Sequence, residues 1–186
     1  MLARLFGSRV EEAPKSKFLW LDKPDALVHF MKQEEDGKNG ELRIFDNDLD
    51  ARNFGTREAM EWFRIFAACP GTTVKIITFR DIDAHAVKHD PFVKWAASRP
   101  DRVELLQVPA GSTVQPHAID FMMRGDQSYM KVAGQPGFIE IPPQGVVLDK
   151  HNGLERIWKS WHTQAVRPET LPPLPAAHVG WAPPEQ

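Results

Sequence analysis

One cysteine, Cys69, occurs in the 186 residues, and a lone thiol cannot close an internal disulfide. Nothing here points to an oxidising compartment. Long hydrophobic runs are also missing: Val74–Phe79, interrupted by lysine and threonine, falls far short of a membrane span. The N-terminus meets charge at Arg4, Arg9, Glu11 and Glu12 before it can form the apolar stretch of a secretory signal. The expectation is a cytoplasmic protein without membrane contact. Neither a P-loop nor a Gly-x-Gly-x-x-Gly turn is present, so phosphates have no glycine-rich cradle. No excess of one charge exists either. Lys+Arg 23 against Asp+Glu 25 gives −2, which argues against a broad nucleic-acid surface while leaving room for a local basic patch.

What is present suits one ordinary domain with tails. Hydrophobic residues make up 42% and charged residues 26%, enough apolar material for a core and too much for wholesale disorder. Residues 1–17 mix charge with small residues and Pro14, and read as a loose arm. Residues 167–186 read as a proline-rich tail, because proline lacks an amide donor and disfavours helix in the residue before it. Residues 18–166 are left as the domain.

Within the domain the periodicities alternate. Asp22-Lys23-Pro24 can open a helix that lines Leu27, Phe30 and Met31 on one face. Leu42–Phe45 is a short apolar strand. Thr56 caps a helix with Ala59, Met60, Phe63, Phe66 and Ala67 at helical spacing. Val74–Phe79 is β-branched and strand-like, Pro91–Ser98 a short helix, and Val103–Val108 a third strand. Ala118–Met123 and Ser128–Val132 form a hairpin about Arg124-Gly125-Asp126-Gln127, and Gly137–Ile141 adds another strand. Asn152 can cap a last helix carrying Leu154, Ile157, Trp158 and Trp161. The class is α/β: a mixed, largely parallel sheet flanked by helices.

Asp46, Asp48 and Asp50 alternate just past the first apolar strand, where a parallel sheet presents its ligand crevice. The fragment resembles the Asp-x-Asp opening of haloacid-dehalogenase-type phosphatases, which implies magnesium-assisted phosphoryl transfer through Asp46 and Asp48. The later strands offer Thr78 but no second acidic pair. An EF-hand loop fails at Ala51 and Arg57, which stand for its glycine and glutamate. The alternative is a turn whose aspartates cap backbone amides. His85 and His89, four apart, would share a helix face and could hold a transition metal, but the stretch reads as a solvated loop.

His117-Ala118-Ile119-Asp120-Phe121-Met122-Met123-Arg124-Gly125 resembles the phospholipase D superfamily, whose signature is histidine, any residue, lysine, four residues, aspartate, usually glycine. His117 and Gly125 fall in register, whereas Ile119 stands at the lysine and Arg124 at the aspartate. The resemblance covers roughly Leu27 to Ala165. It is similar in particular to a small uncharacterised bacterial phospholipase D-like domain sometimes attached to acetyltransferases, through the Leu42–Asp50 strand-and-turn and the Asp149–Trp161 segment. No acetyltransferase region is present in this chain. In that superfamily the histidine attacks phosphorus, the lysine holds the phosphate oxygens, and the aspartate supports the pair. Isoleucine brings no charge to a phosphate, and arginine cannot accept a histidine hydrogen bond. The resemblance thus implies one half of the fold with a degenerate site, and since two halves normally share a phosphate, a homodimer with His117 near the shared crevice.

Six tryptophans are many for this length. Trp158 and Trp161 follow helical spacing and suit a core. Trp20 and Trp181 lie in the flanking segments, Trp181 following the Pro-x-x-Pro run of Pro172, Pro173 and Pro175, as in a ligand for a partner's groove. Arg124 and Lys131 could form a local anion or nucleic-acid patch. The sequence therefore points to a non-catalytic phospholipase D-like binding or adaptor domain, needing no cofactor or metal and working by protein contacts. The alternative is a phosphate-ester hydrolase using Asp46 and Asp48 with magnesium, or His117 across a homodimer.

Overall fold

The computed structural model describes residues 16–32, 40–110, 112, 119–142 and 149–172. In chain order the elements are β1 (Lys17–Trp20), α1 (Lys23–Lys32), β2 (Glu41–Phe45), α2 (Ala51–Phe54), α3 (Arg57–Ala68), β3 (Thr73–Thr78), α4 (Ala84–His89) and α5 (Pro91–Ser98). There follow β4 (Val103–Gln107), β5 (Ile119–Arg124), β6 (Gln127–Val132), β7 (Phe138–Ile141) and α6 (Asp149–His162). The described strands form one seven-stranded sheet in the order β1-β7-β6-β5-β2-β3-β4. The protein is α/β, with helices on both faces.

Local chemistry sets the element ends. Thr56 Oγ1 accepts from the Ala59 amide and starts α3. Asp90 Oδ1 accepts from the Phe92 and Val93 amides, with Pro91 in the first position of α5. Gly125, first of the two turn residues between β5 and β6, has φ 57°, which a hairpin turn of this length favours and which suits glycine. Gly137 answers a close approach instead: a Cβ there would lie 2.1 Å from the hydroxyl of fully buried Tyr129.

Alternation in the strands splits the core in two. Leu42, Ile44, Val74, Ile76, Leu105, Met122, Tyr129 and Ile139 face α1, α2, α3 and α5, where Phe54, Phe63, Phe92 and Trp95 pack ring against ring. Phe45, Ile77, Leu106, Phe121 and Met123 face the other way, onto Leu154, Trp158 and Trp161 of α6. Phe45 and Trp161 have ring centroids 3.9 Å apart. Arg43 Nη1 reaches Glu155 Oε1 at 2.5 Å and ties α6 to β2.

Three expectations need correction. The sheet is mixed, but only β2–β3 and β3–β4 are parallel, and the other four pairings are antiparallel. The excess comes from the hairpin, β7 and β1, because a two-residue turn can only reverse the chain. Residues 84–89 are a helix, since Asp83 accepts from the Ala86 amide and nucleates it. The last helix starts at Asp149, three residues before Asn152.

Both proposed domain boundaries also move. Lys17 belongs to β1, which pairs antiparallel with β7, and the chain stays packed to Pro172. Val166 and Gln107 exchange two 2.8 Å backbone hydrogen bonds, Thr170 Oγ1 donates to the Ile82 carbonyl, and Leu171 sits in the main core.

Two stability measurements follow. Gly137→Ala is expected to cost about 1–3 kcal/mol by forcing β7 away from Tyr129. Leu171→Ala is expected to cost about 2–5 kcal/mol, as core truncations do. Urea unfolding reads both; an unchanged midpoint for Leu171→Ala would return residues 167–172 to a detached tail.

Candidate functional site

The parallel strands β2 and β3 end side by side, next to the start of the antiparallel β5. Three charged side chains meet there. Lys23, in the first turn of α1, donates to Asp46 Oδ2 and, at 2.7 Å, to Asp120 Oδ2. Lys23 is 5% exposed and Asp46 1%. Asp120 Oδ1 accepts from the Asn47 amide at 3.0 Å and its Nδ2 at 2.7 Å.

Asp46 also holds its own turn. Its Oδ1 accepts from the amides of Asp48 at 3.1 Å and Leu49 at 2.7 Å. Those bonds hold Leu49 at φ 44°, a left-handed conformation costly for a bulky residue, while its side chain is fully buried in the main core. Thr78 Oγ1, at the end of β3, donates to the Asn47 carbonyl and accepts from the Arg80 amide. Arg80 in turn bonds the Leu49 carbonyl at 3.0 Å and Asp90 at 2.6 Å.

The electrostatics are those of three charges sharing little water. Burial opposes the charge on Lys23, but Asp46 and Asp120 outweigh it and hold the ammonium above the ordinary lysine range. Burial pushes the Asp46 carboxyl up; Lys23 pulls it down, Asp120 pushes it up further, and burial prevails. Burial likewise raises the phenol of Tyr129, helped by Asp120, and its hydroxyl finds no hydrogen-bond partner among the described residues.

This arrangement does not fit the magnesium reading. Both oxygens of Asp46 are engaged, one by two amides and one by an ammonium that a divalent ion would have to displace. Asp48 is exposed, and Asp50 accepts from the Arg52 amide as the cap of α2. No cluster of three metal-ligating side chains occurs among the described residues. His85 and His89 lie on α4, exposed, with ring centroids 4.5 Å apart.

The remaining candidates are dispersed. Arg124 is buried: its Nη1 donates to the Phe30 carbonyl near the end of α1, and its guanidinium lies 4.8 Å over the Phe66 ring. Arg124 pairs with Gln127 and Lys131 with Asp120, at opposite ends of the hairpin, so the two do not make one anion patch. Trp20 is 65% exposed on β1 and Pro172 is exposed. His117, Pro173, Pro175 and Trp181 lie outside the described residues. The sequence reading missed Lys23 and Asp120, although a lysine at a helix N-terminus, against the helix dipole, signals a carboxylate partner.

No family model matches the chain, and no curated protein matches it. Among solved structures it is similar to TrmBL2, an archaeal chromatin protein reported with a novel mode of DNA binding, at TM-score 0.47 and 11% identity. That alignment covers 81% of this chain and 54% of that one, so the chain spans about half the neighbour's length. Among the described residues no helix is long and apolar enough to cross a membrane.

Lys23→Met leaves two carboxylates buried without their cation and is expected to cost about 3–5 kcal/mol near neutral pH. The folded-state values of Asp46 and Lys23 lie above the ordinary 3.8 and 10.5. Their stabilising contribution is therefore complete below those ordinary values and lost as pH rises through the raised ones. The deficit of Lys23→Met should accordingly shrink on acidification as the stranded carboxyls take up protons. Urea titrations at neutral and acid pH measure it, and a deficit independent of pH would show that the ammonium acts by packing alone.

Proposed function

We propose that this chain is a non-catalytic binding domain, on a phospholipase D-like half scaffold, that docks a protein through the exposed apolar side chains of β1. The observation that carries the reading is β1. All four of its residues are exposed, and three are large and apolar: Phe18 at 49%, Leu19 at 37% and Trp20 at 65%. Phe138 on β7 extends the patch, with ring centroids 5.9 Å from Phe18 and 5.4 Å from Trp20.

Exposed aromatic side chains of this kind provide the apolar anchors that protein docking uses. The adaptor reading also takes in the proline run that opens at exposed Pro172 and continues through Pro173 and Pro175 to Trp181. The engagement of Asp46 by Lys23 and two amides supports binding over hydrolysis.

The test is affinity capture from native lysate by the full chain, Trp20→Lys, and a deletion of 173–186 that spares Leu171. Trp20 is exposed, so its replacement leaves the fold in place, and it should weaken retention of the partner about tenfold or more. Equal retention by all three, or metal-independent ester hydrolysis abolished by His117→Ala, would overturn the reading.

A further inference from the structure

The geometry points to a binding site for a small phosphate-bearing anion between α6 and the opening ends of β2 and β3. The strand alternation that buries Phe45 and Ile77 beneath α6 also sets Glu41, Arg43 and Lys75 on that face, near the strand starts. α6 crosses this charged end as well. Its buried stripe of Leu154, Trp158 and Trp161 is flanked by Glu155, Lys159 and His162, which recur at i, i+4 and i+7. The two sets enclose a hollow of about 250 Å³ lined chiefly by Glu41, Arg43, Lys75, Trp158, Lys159 and His162. It sits at the opposite end of β2 from Asp46 and is separate from the β1 patch.

The carboxylates here are spent, and donors are left over. Glu41 Oε1 accepts from Arg43 Nε at 2.5 Å, and its Oε2 lies 2.8 Å from Lys75 Nζ. Arg43 Nη1 goes to Glu155, and His162 Nε2 lies 3.4 Å from Glu104. A guanidinium carries five N–H donors and an ammonium three, so Arg43 keeps its Nη2 and Lys75 most of its donors. Lys159 is exposed and pairs with no carboxylate among the described residues. It also borders a second hollow, beside exposed Arg156 and Glu155. Across both hollows four permanent cations stand against Glu41, Glu155 and the adjoining Glu104, before any charge on His162.

α6 ends at this hollow, and the carbonyls of a helix C-terminus repel anions. Here they are occupied. The Lys159 carbonyl accepts from the Thr163 amide, that of Ser160 from Thr163 Oγ1 and Gln164 Nε2, and that of Trp161 from the Gln164 and Ala165 amides. Cations therefore set the local field, and they come from two strands and a helix. A phosphate monoester offers oxygens in three directions to such a set, whereas a carboxylate offers two in one plane. The space equals about eight waters of liquid, enough for a phosphate with a short organic body against Trp158. The grip is by side chains drawn from distant segments, so no glycine-rich loop marks it in the sequence.

Isothermal titration calorimetry of the full chain at low ionic strength, with inorganic phosphate, phenyl phosphate and acetate as probes, tests the site. Saturable binding of both phosphates is expected, with acetate weaker. Lys159→Gln should weaken phosphate binding about tenfold or more, as loss of a charge-assisted hydrogen bond does. Lys94→Gln, on the exposed face of α5, removes the same charge away from the hollow and should leave the affinity unchanged. Both lysines are exposed, so neither change threatens the fold. Phenyl phosphate binding more tightly than phosphate supports the site and identifies a phosphorylated organic molecule as its ligand; equal affinities support it with the phosphate group alone recognised. Absence of saturable binding by either phosphate, equal weakening by the two lysine variants, or acetate binding as tightly as phosphate overturns the proposal.

Discussion

Lys23 brings a positive charge into the interior where the two halves of the sheet meet. Asp46 ends the last strand of the parallel half on that side, Asp120 lies on the first antiparallel strand beside it, and Lys23 comes from the helix that crosses over both. Taking three charges out of water costs several kcal/mol for each ion, and two carboxylates against one ammonium leave a deficit. Hydrogen bonds from Asn47, Asp48 and Leu49 to the carboxylates offset part of it. Breaking the set would strand buried charge, so α1, β2 and β5 are held in one mutual arrangement. The turn of residues 46–49 inherits its shape from this set, and through Arg80 so does the entry to α5.

Asp46, the first of the aspartates that suggest phosphoryl chemistry in the sequence, is thus consumed by structure. A nucleophilic carboxylate needs a free oxygen facing substrate, and Asp46 has none to offer without losing Lys23 or the turn. Arg124 shows the same economy. Burial beneath α1, a carbonyl to donate to and the Phe66 face make it a tie between the hairpin and the helical layer.

Much of the fold was legible because its signals are local. The Thr56 cap, the Pro91 start, the β-branched run of β3 and the Arg124–Gln127 turn each encode an element within a few residues. Strand direction was less so: a sheet's polarity depends on which strands meet, and the pairing of β2 with β5 joins residues about eighty apart. The same distance hid the site. Asp46 drew attention for its neighbours Asp48 and Asp50, yet its true partners lie 23 residues before it and, across Lys23, at Asp120. β1 was hidden for another reason: with no buried face it lacks the alternation that betrays a strand.

The sheet's two edges are treated differently, and the difference is physical. At β4 the chain returns after α6, and Val166 exchanges backbone hydrogen bonds with Gln107, which occupies part of that edge with the protein's own backbone. At the other side, β1 is the outermost of the described strands, and its sequence holds no proline and one lysine, at its very start. α6 packs across β4, β3, β2 and β5, and Trp20 on β1 is 65% exposed. Exposed large apolar side chains favour aggregation unless a partner takes them. Selection against aggregation would remove such a strand or charge it. Its retention beside a rigid, internally cross-tied sheet accords with the docking role proposed for Trp20.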